Sequence, residues 1–209
     1  CADTKLNISP AYLKPGFAFG GSCLPKDLRS LIFNARQLGV EIPILDSVLP
    51  SNTLQIEAAR IKIHETGAKH VGILGLSFKA GTDDLRESPV ISLIRQLWQD
   101  GLEISVYDPD GNLEVLLGSN LEYLQRQLPQ IDRILRTDID SVLNECQTLV
   151  ITQKRPEFSN IQALKSSVAV LDLVRLSSDA VTDLANYEGI SWQKKQPAKK
   201  ILPFAGSDR

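Results

Sequence analysis

From His70 onward, short apolar runs alternate with segments of helical periodicity, and this pattern limits the chain to very few architectures. "HVGILGLSF", "TLVIT" and "AVLDL" are continuously apolar over five to nine residues. Runs of that length suit strands buried on both faces, as in parallel sheets. Between the first two lies "PVISLIRQLWQD", with Ser88 at the cap position, Pro89 at the first helical position and Gly101 as the stop. "EISVYD" is the next strand. Residues 113–145 carry mostly helical pattern, with "RILRTD" able to hold a short strand, and "GISW" is a further strand candidate. Such alternation predicts an α/β domain with an open parallel sheet and right-handed crossovers.

Upstream, the pattern is helical. Pro25 and Gly39 bracket a helix whose stripe is Leu28, Leu31, Ile32, Ala35 and Leu38. A second helix spans 43–67, with Ile56, Ala59 and Ile63 on one face, caps at Ser51 or Asn52, and Pro50 breaking it or starting its main part. This helix can pack on a second subunit or within its own chain. The chain thus divides into a helical segment (1–67), a sheet domain (68–193) and a lysine-bearing tail (194–209).

Composition removes several functional classes. The net charge of −2 gives no electrostatic basis for binding nucleic acid or a membrane surface. No apolar run is long enough to span a bilayer. His64 and His70 are the only histidines and show no ligand spacing, so no metal site is expected. Cys1, Cys23 and Cys146 are scattered and odd in number, as for reduced thiols in a cytoplasmic protein. The sequence has no methionine and begins at Cys1, which reads as an internal piece of a longer chain.

Two stretches carry the chemistry. In "GFAFGGSCLPKD", Cys23 stands just before a helix N-terminus, where unpaired N–H groups, the helix dipole and Lys26 favour a thiolate. Gly20 and Gly21 allow close approach of a substrate to the backbone. A small buried thiol is the competing reading. Asp27 can stabilise the helix start or orient a water or a lysine. In "SFKAGTDDLRESP", Lys79 and Arg86 follow the first strand, at the carboxyl edge where ligands of open α/β sheets bind, and can meet an anion. Asp83, Asp84 and Glu87 can pair with them. The sheet is Rossmann-like, yet no G-x-G-x-x-G follows its first strand. Asp108, closing "EISVYD", occupies the place of a ribose-binding acid or simply ends a strand.

Together, "PGFAFGGSCLPKDLRSL" and "GLSFKAGTDDLRESP" resemble the UDP-glucose/GDP-mannose dehydrogenase family. The resemblance covers residues 5–192 and implies the end of a helical, dimer-building middle part plus a Rossmann-like sugar-nucleotide domain. It also implies a separate N-terminal domain for NAD, a homodimer, and oxidation of a sugar C6 alcohol to a carboxylate. The motif variants favour GDP-mannose, oxidised to GDP-mannuronate, over UDP-glucose. By this resemblance Cys23 is the nucleophile and Asp27 helps activate water. Lys26 lies near the nicotinamide of NAD and Arg86 near its phosphates. Ala11, Tyr12, Leu13, Lys14, Pro15, Gly16 and Phe17, with Gly20 and Lys79, contact the sugar nucleotide. Lys14 replaces an arginine of the family pattern, a point charge in place of a bidentate fork.

The sequence leaves two rival readings. A non-catalytic nucleotide-sugar binding module would leave Cys23 incidental. A stand-alone thiol-redox protein would want a C-x-x-C pair, which this sequence lacks.

Overall fold

The computed structural model describes residues 16–77, 85–110, 119–159, 161, 164–176, 184 and 186–191. Helices α1 (Leu24–Gln37) and α2 (Pro43–Glu65) precede β1 (His70–Leu74), α3 (Pro89–Gln99) and β2 (Glu103–Tyr107). Three short helices follow: α4 (Ser119–Gln127), α5 (Ile131–Ile134) and α6 (Ile139–Glu145). Strands β3 (Thr148–Ile151), β4 (Ala169–Asp172) and β5 (Tyr187–Gly189) complete the fold.

The strands form one parallel sheet in the order β2-β1-β3-β4-β5. Alternate residues of each apolar run serve opposite faces, which is why the runs are continuous. Val71 and Ile73 join α2 and α3 in one core, while Leu74 joins Val142, Leu143 and Leu149 in the other. Ile63, Val71, Ile73 and Leu97 are fully buried, and each such side chain stabilises the fold by roughly 1.5–3 kcal/mol.

Several local expectations change in the folded chain. Pro50 lies inside α2 and does not break it. Proline removes the N–H that would reach back to Asp46, but both flanks are held from outside. Asp46 pairs with Arg36 of α1 at 2.9 Å, and Ile56, Ala59 and Ile63 are buried. Ser51 and Asn52 are therefore interior helix residues and not caps. On α1 only Ile32 and Ala35 of the expected stripe are buried, while Leu31 and Leu38 are 51% and 78% exposed. Ser88 does precede α3, but its hydroxyl donates to the Leu76 carbonyl at 3.0 Å and makes no bond to the helix. "RILRTD" begins in α5, and Leu135 makes only an isolated bridge to Val106. The last strand sits earlier than "GISW", because the Tyr187 hydroxyl donates to buried Asp172 at 2.7 Å and fixes the register on β4.

An ionic clamp joins α2 to the end of α3. Arg60 reaches both Asp100 oxygens, at 2.6 and 2.8 Å, and His64 lies 2.8 Å from the same carboxylate. The Arg60 fork and then His64 lower the Asp100 carboxyl to about 2. A carboxyl lowered on folding contributes stability above its unfolded value near 3.8, and that contribution fades as pH falls through the folded value. Asp100→Asn should lower stability at pH 7 modestly, because solvent screens the clamp. It should also flatten the decline of stability between about pH 4 and pH 2. Urea unfolding across that range checks both. An unchanged acid slope in the variant would remove the clamp from the account.

Candidate active site at the cysteine loop

The loop leading to Cys23 is held on two sides by its backbone. Asn52 of α2 accepts from Phe19 N–H at 2.8 Å and donates to Phe19 C=O at 2.9 Å. Gly21 N–H donates to Arg86 C=O at 3.1 Å. A Cβ added to Gly20 would lie 2.3 Å from Glu87 O and 2.8 Å from Pro89 Cδ, so only glycine allows this approach. Gly21 adopts φ 92°, again a glycine conformation. Phe17 and Ala18 pack against the sheet's core. These contacts bring the cysteine loop to the turn that follows β1, at the carboxyl edge of the sheet.

At the end of the loop Cys23 is the N-cap of α1, with Leu24 and Pro25 in the first turn. Its side chain is exposed, and Ser22 Oγ lies 3.8 Å from Cys23 Sγ. Asp27 N–H closes the first turn onto Cys23 C=O at 2.8 Å. Lys26 and Asp27 are exposed and 3.4 Å apart, so a cation and a carboxylate share the surface of the helix turn that Cys23 caps. Gly16 is exposed. Ala11, Tyr12, Leu13, Lys14 and Pro15, together with Lys79, Asp83 and Asp84, lie outside the described residues.

The neighbouring strand ends form a polar network that the sequence pattern did not disclose. Strand β1 lies between β2 and β3, so the ends of β1 and β3 flank the point where the strand order reverses. Gly75 there has φ 103°, and a Cβ on it would sit 2.5 Å from Thr152 Oγ1. Thr152 Oγ1 lies 2.7 Å from Leu74 C=O and 2.8 Å from Gly75 C=O. Asp108, 6% exposed, accepts from Leu76 N–H at 2.6 Å, Ser77 N–H at 3.2 Å and Gln153 Nε2 at 3.2 Å through one oxygen. Its other oxygen accepts from Asp110 N–H at 2.9 Å. Gln153 Oε1 in turn accepts from Arg155 Nε at 2.7 Å, and Arg155 pairs with Asp110. Asp108 is thus a structural acid that holds the residues after β1, with both of its oxygens engaged by protein donors. Among the described residues no group of His, Cys, Asp and Glu could hold a metal ion, and no helix is long and apolar enough to cross a membrane.

The fold and this edge define a Rossmann-like α/β protein that presents a thiol where such sheets bind ligands. Residues 1–54 match the central domain, and residues 72–180 the UDP-binding domain, of the UDP-glucose/GDP-mannose dehydrogenase family. The chain belongs to that family. GDP-mannose 6-dehydrogenase of Pseudomonas syringae pv. syringae is 39% identical over 193 residues, covering 92% of this chain and 44% of that protein. UDP-glucose 6-dehydrogenase of Rickettsia bellii is 30% identical over 79% of this chain. The crystal structure of a ternary complex of GDP-mannose dehydrogenase from Pseudomonas aeruginosa matches with a TM-score of 0.81 and 41% identity, over 91% of this chain and 43% of that one. The chain therefore spans less than half the length of these relatives.

The two described thiols differ sharply. Cys146 is buried beside Val142 and Gly72, and burial pushes its thiol up to about 11. With iodoacetamide at pH 8, Cys23 should be alkylated while Cys146 stays protected until the chain unfolds. Peptide-resolved mass spectrometry over time checks this. Comparable rates at the two positions would contradict the described burial.

Proposed function

We propose that this chain supplies the nucleophile and the sugar-nucleotide side of a nucleotide-sugar 6-dehydrogenase, with GDP-mannose as the substrate oxidised to GDP-mannuronate. The observation that carries the reading is the exposed Cys23 thiol at the N-cap of α1, on a loop pinned to the carboxyl edge of the sheet. GDP-mannose is favoured over UDP-glucose by the similarity to GDP-mannose 6-dehydrogenases, 39% against 30% for the Rickettsia UDP-glucose enzyme.

NAD does not fit this sheet. The 209 residues contain no G-x-G-x-x-G, and the acid at the end of β2, Asp108, is already engaged by Leu76, Ser77, Gln153 and Asp110. The hydride acceptor then belongs to a separate NAD-binding domain, with Lys26 facing its nicotinamide end and Arg86 its phosphates. Ala11–Phe17 and Lys79 would face the sugar nucleotide, whereas Gly20, expected to do the same, is buried against the Glu87 carbonyl and serves the seating of the loop. The outward apolar residues Leu24, Leu31 and Phe33 of α1 and Leu38 at its C-cap, each more than half exposed, suit an interface with that domain or with a second copy of the chain.

The chemistry explains the need for a thiol. An aldehyde carbon is planar and a poor hydride donor. Addition of the Cys23 thiolate forms a C–S bond and makes the carbon tetrahedral, so that a hydride can leave and a thioester results. Water then attacks the thioester carbon, the C–S bond breaks, and the carboxylate and free thiol are released. Asp27, exposed beside Cys23, accepts the proton of that water.

In the dehydrogenase assembled with its NAD-binding domain, Cys23→Ser should lower uronate formation by about three orders of magnitude or more. GDP-mannose should still bind, more tightly than UDP-glucose by calorimetry. Uronate formed at close to the parent rate would refute the role of Cys23, and a clear preference for UDP-glucose would refute the substrate.

A further inference from the structure

The residue that joins the cysteine loop to the sheet domain is Glu87. Residues Leu85 to Ser88 form a turn closed by Ser88 N–H donating to Leu85 C=O at 3.2 Å. Its third residue, Glu87, has φ 50°, whereas Arg86 before it is not in the left-handed region. Turns of this pattern take glycine at the third position, and another residue there costs roughly 1–2 kcal/mol. A non-glycine held in such a conformation points to a task for its side chain or for its fixed carbonyl.

Three contacts at Glu87 converge on one arrangement. Its carboxylate receives a bidentate fork from Arg29 of α1, at 2.7 and 2.6 Å. Its N–H donates to the Tyr123 hydroxyl of α4 at 3.0 Å. Its carbonyl faces Gly20, where a Cβ would come within 2.3 Å, while the preceding carbonyl, of Arg86, receives the Gly21 N–H. Glu87 therefore touches the helix that begins at Cys23, the loop that precedes Cys23, and the sheet domain. Most exposed ion pairs contribute little. This one is bidentate, spans 58 residues of sequence, and restrains a backbone that would relax without it.

We propose that Glu87, locked by Arg29, is a positioning residue that holds Cys23 and Arg86 in one frame. It gives up local backbone comfort so that its carboxylate can anchor α1, and it sets the two carbonyls against which the cysteine loop rests. This inference depends on the reading of Cys23 as the nucleophile for its catalytic consequence, but not for its structural one.

The discriminating variants are Arg29→Met, which removes the fork, and Glu87→Gly, which removes the fork and also relieves the turn. Amide hydrogen exchange on this chain reads the loop directly. Gly21 N–H should exchange about tenfold faster in both variants. Thermal stability of Glu87→Gly should equal or exceed that of the parent, because glycine suits the turn. A residue with a merely structural role would instead lose stability together with loop order. In the dehydrogenase assembled with its NAD-binding domain, kcat should fall about tenfold or more in both variants. KM for GDP-mannose should stay within about twofold. The double exchange Arg29→Glu with Glu87→Arg should slow Gly21 exchange again. Unchanged Gly21 exchange in both single variants would overturn the proposal whatever the activity. Faster exchange with unchanged kcat would overturn its catalytic part. A parent that forms no uronate would defeat the functional reading and leave the exchange result standing.

Discussion

The close approach of Gly20 and Gly21 to the carbonyls of Glu87 and Arg86 is the contact on which the candidate site depends. A loop of this kind has no regular hydrogen-bond ladder of its own, so its backbone groups need partners elsewhere. Asn52 provides one pair at Phe19, and the turn after β1 provides the other at Gly21. The loop is thus tied at Phe19 and at Gly21, just before Cys23. Lys26 and Asp27 lie in the first turn of the helix that Cys23 caps and pair with each other. Under the function proposed for Cys23, preorganisation of this sort would separate it from an ordinary exposed thiol.

The sheet edge beneath the loop is built for rigidity. Asp108 ties the residues after β1 to those after β2 and β3, and Thr152 and Gln153 fill the space that Gly75 leaves open. A Rossmann-type sheet that spends its strand-end acid in this way has given up one of the contacts used to grip a dinucleotide ribose. The same residues gain a fixed platform at the point where the strand order reverses. The family's UDP-binding domain and this edge occupy the same part of the chain.

Where side-chain pattern alone decides, the sequence could be read. Apolar runs of five to nine residues located β1, β3 and β4, and Pro89 and Gly101 framed α3. Cys23 is visible as a thiol set between a glycine pair and a helix start. What could not be read depended on partners distant in sequence. Pro50 signals a break locally, and only the packing of Ile56, Ala59 and Ile63 together with the Arg36–Asp46 pair overrides it. Asn52 looks like a cap until the loop at Phe19 is brought to it from 33 positions away. Glu87 reads as one more charge in an acidic stretch, because neither its φ nor its fork with Arg29 leaves a trace in spacing. Gly20 was legible as a position of close approach, but the group that approaches it is a protein carbonyl.

The role proposed for Cys23 is to carry the acyl intermediate of the second oxidation step. The most direct test is acid quenching of the dehydrogenase, assembled with its NAD-binding domain, during turnover of GDP-mannose. Peptide mass spectrometry then locates the adduct. The expected result is a sugar-nucleotide thioester on the peptide containing Cys23, discharged by hydroxylamine and absent from Cys1 and Cys146. Accumulation of uronate with no adduct on Cys23, or with the adduct on another cysteine, would contradict it.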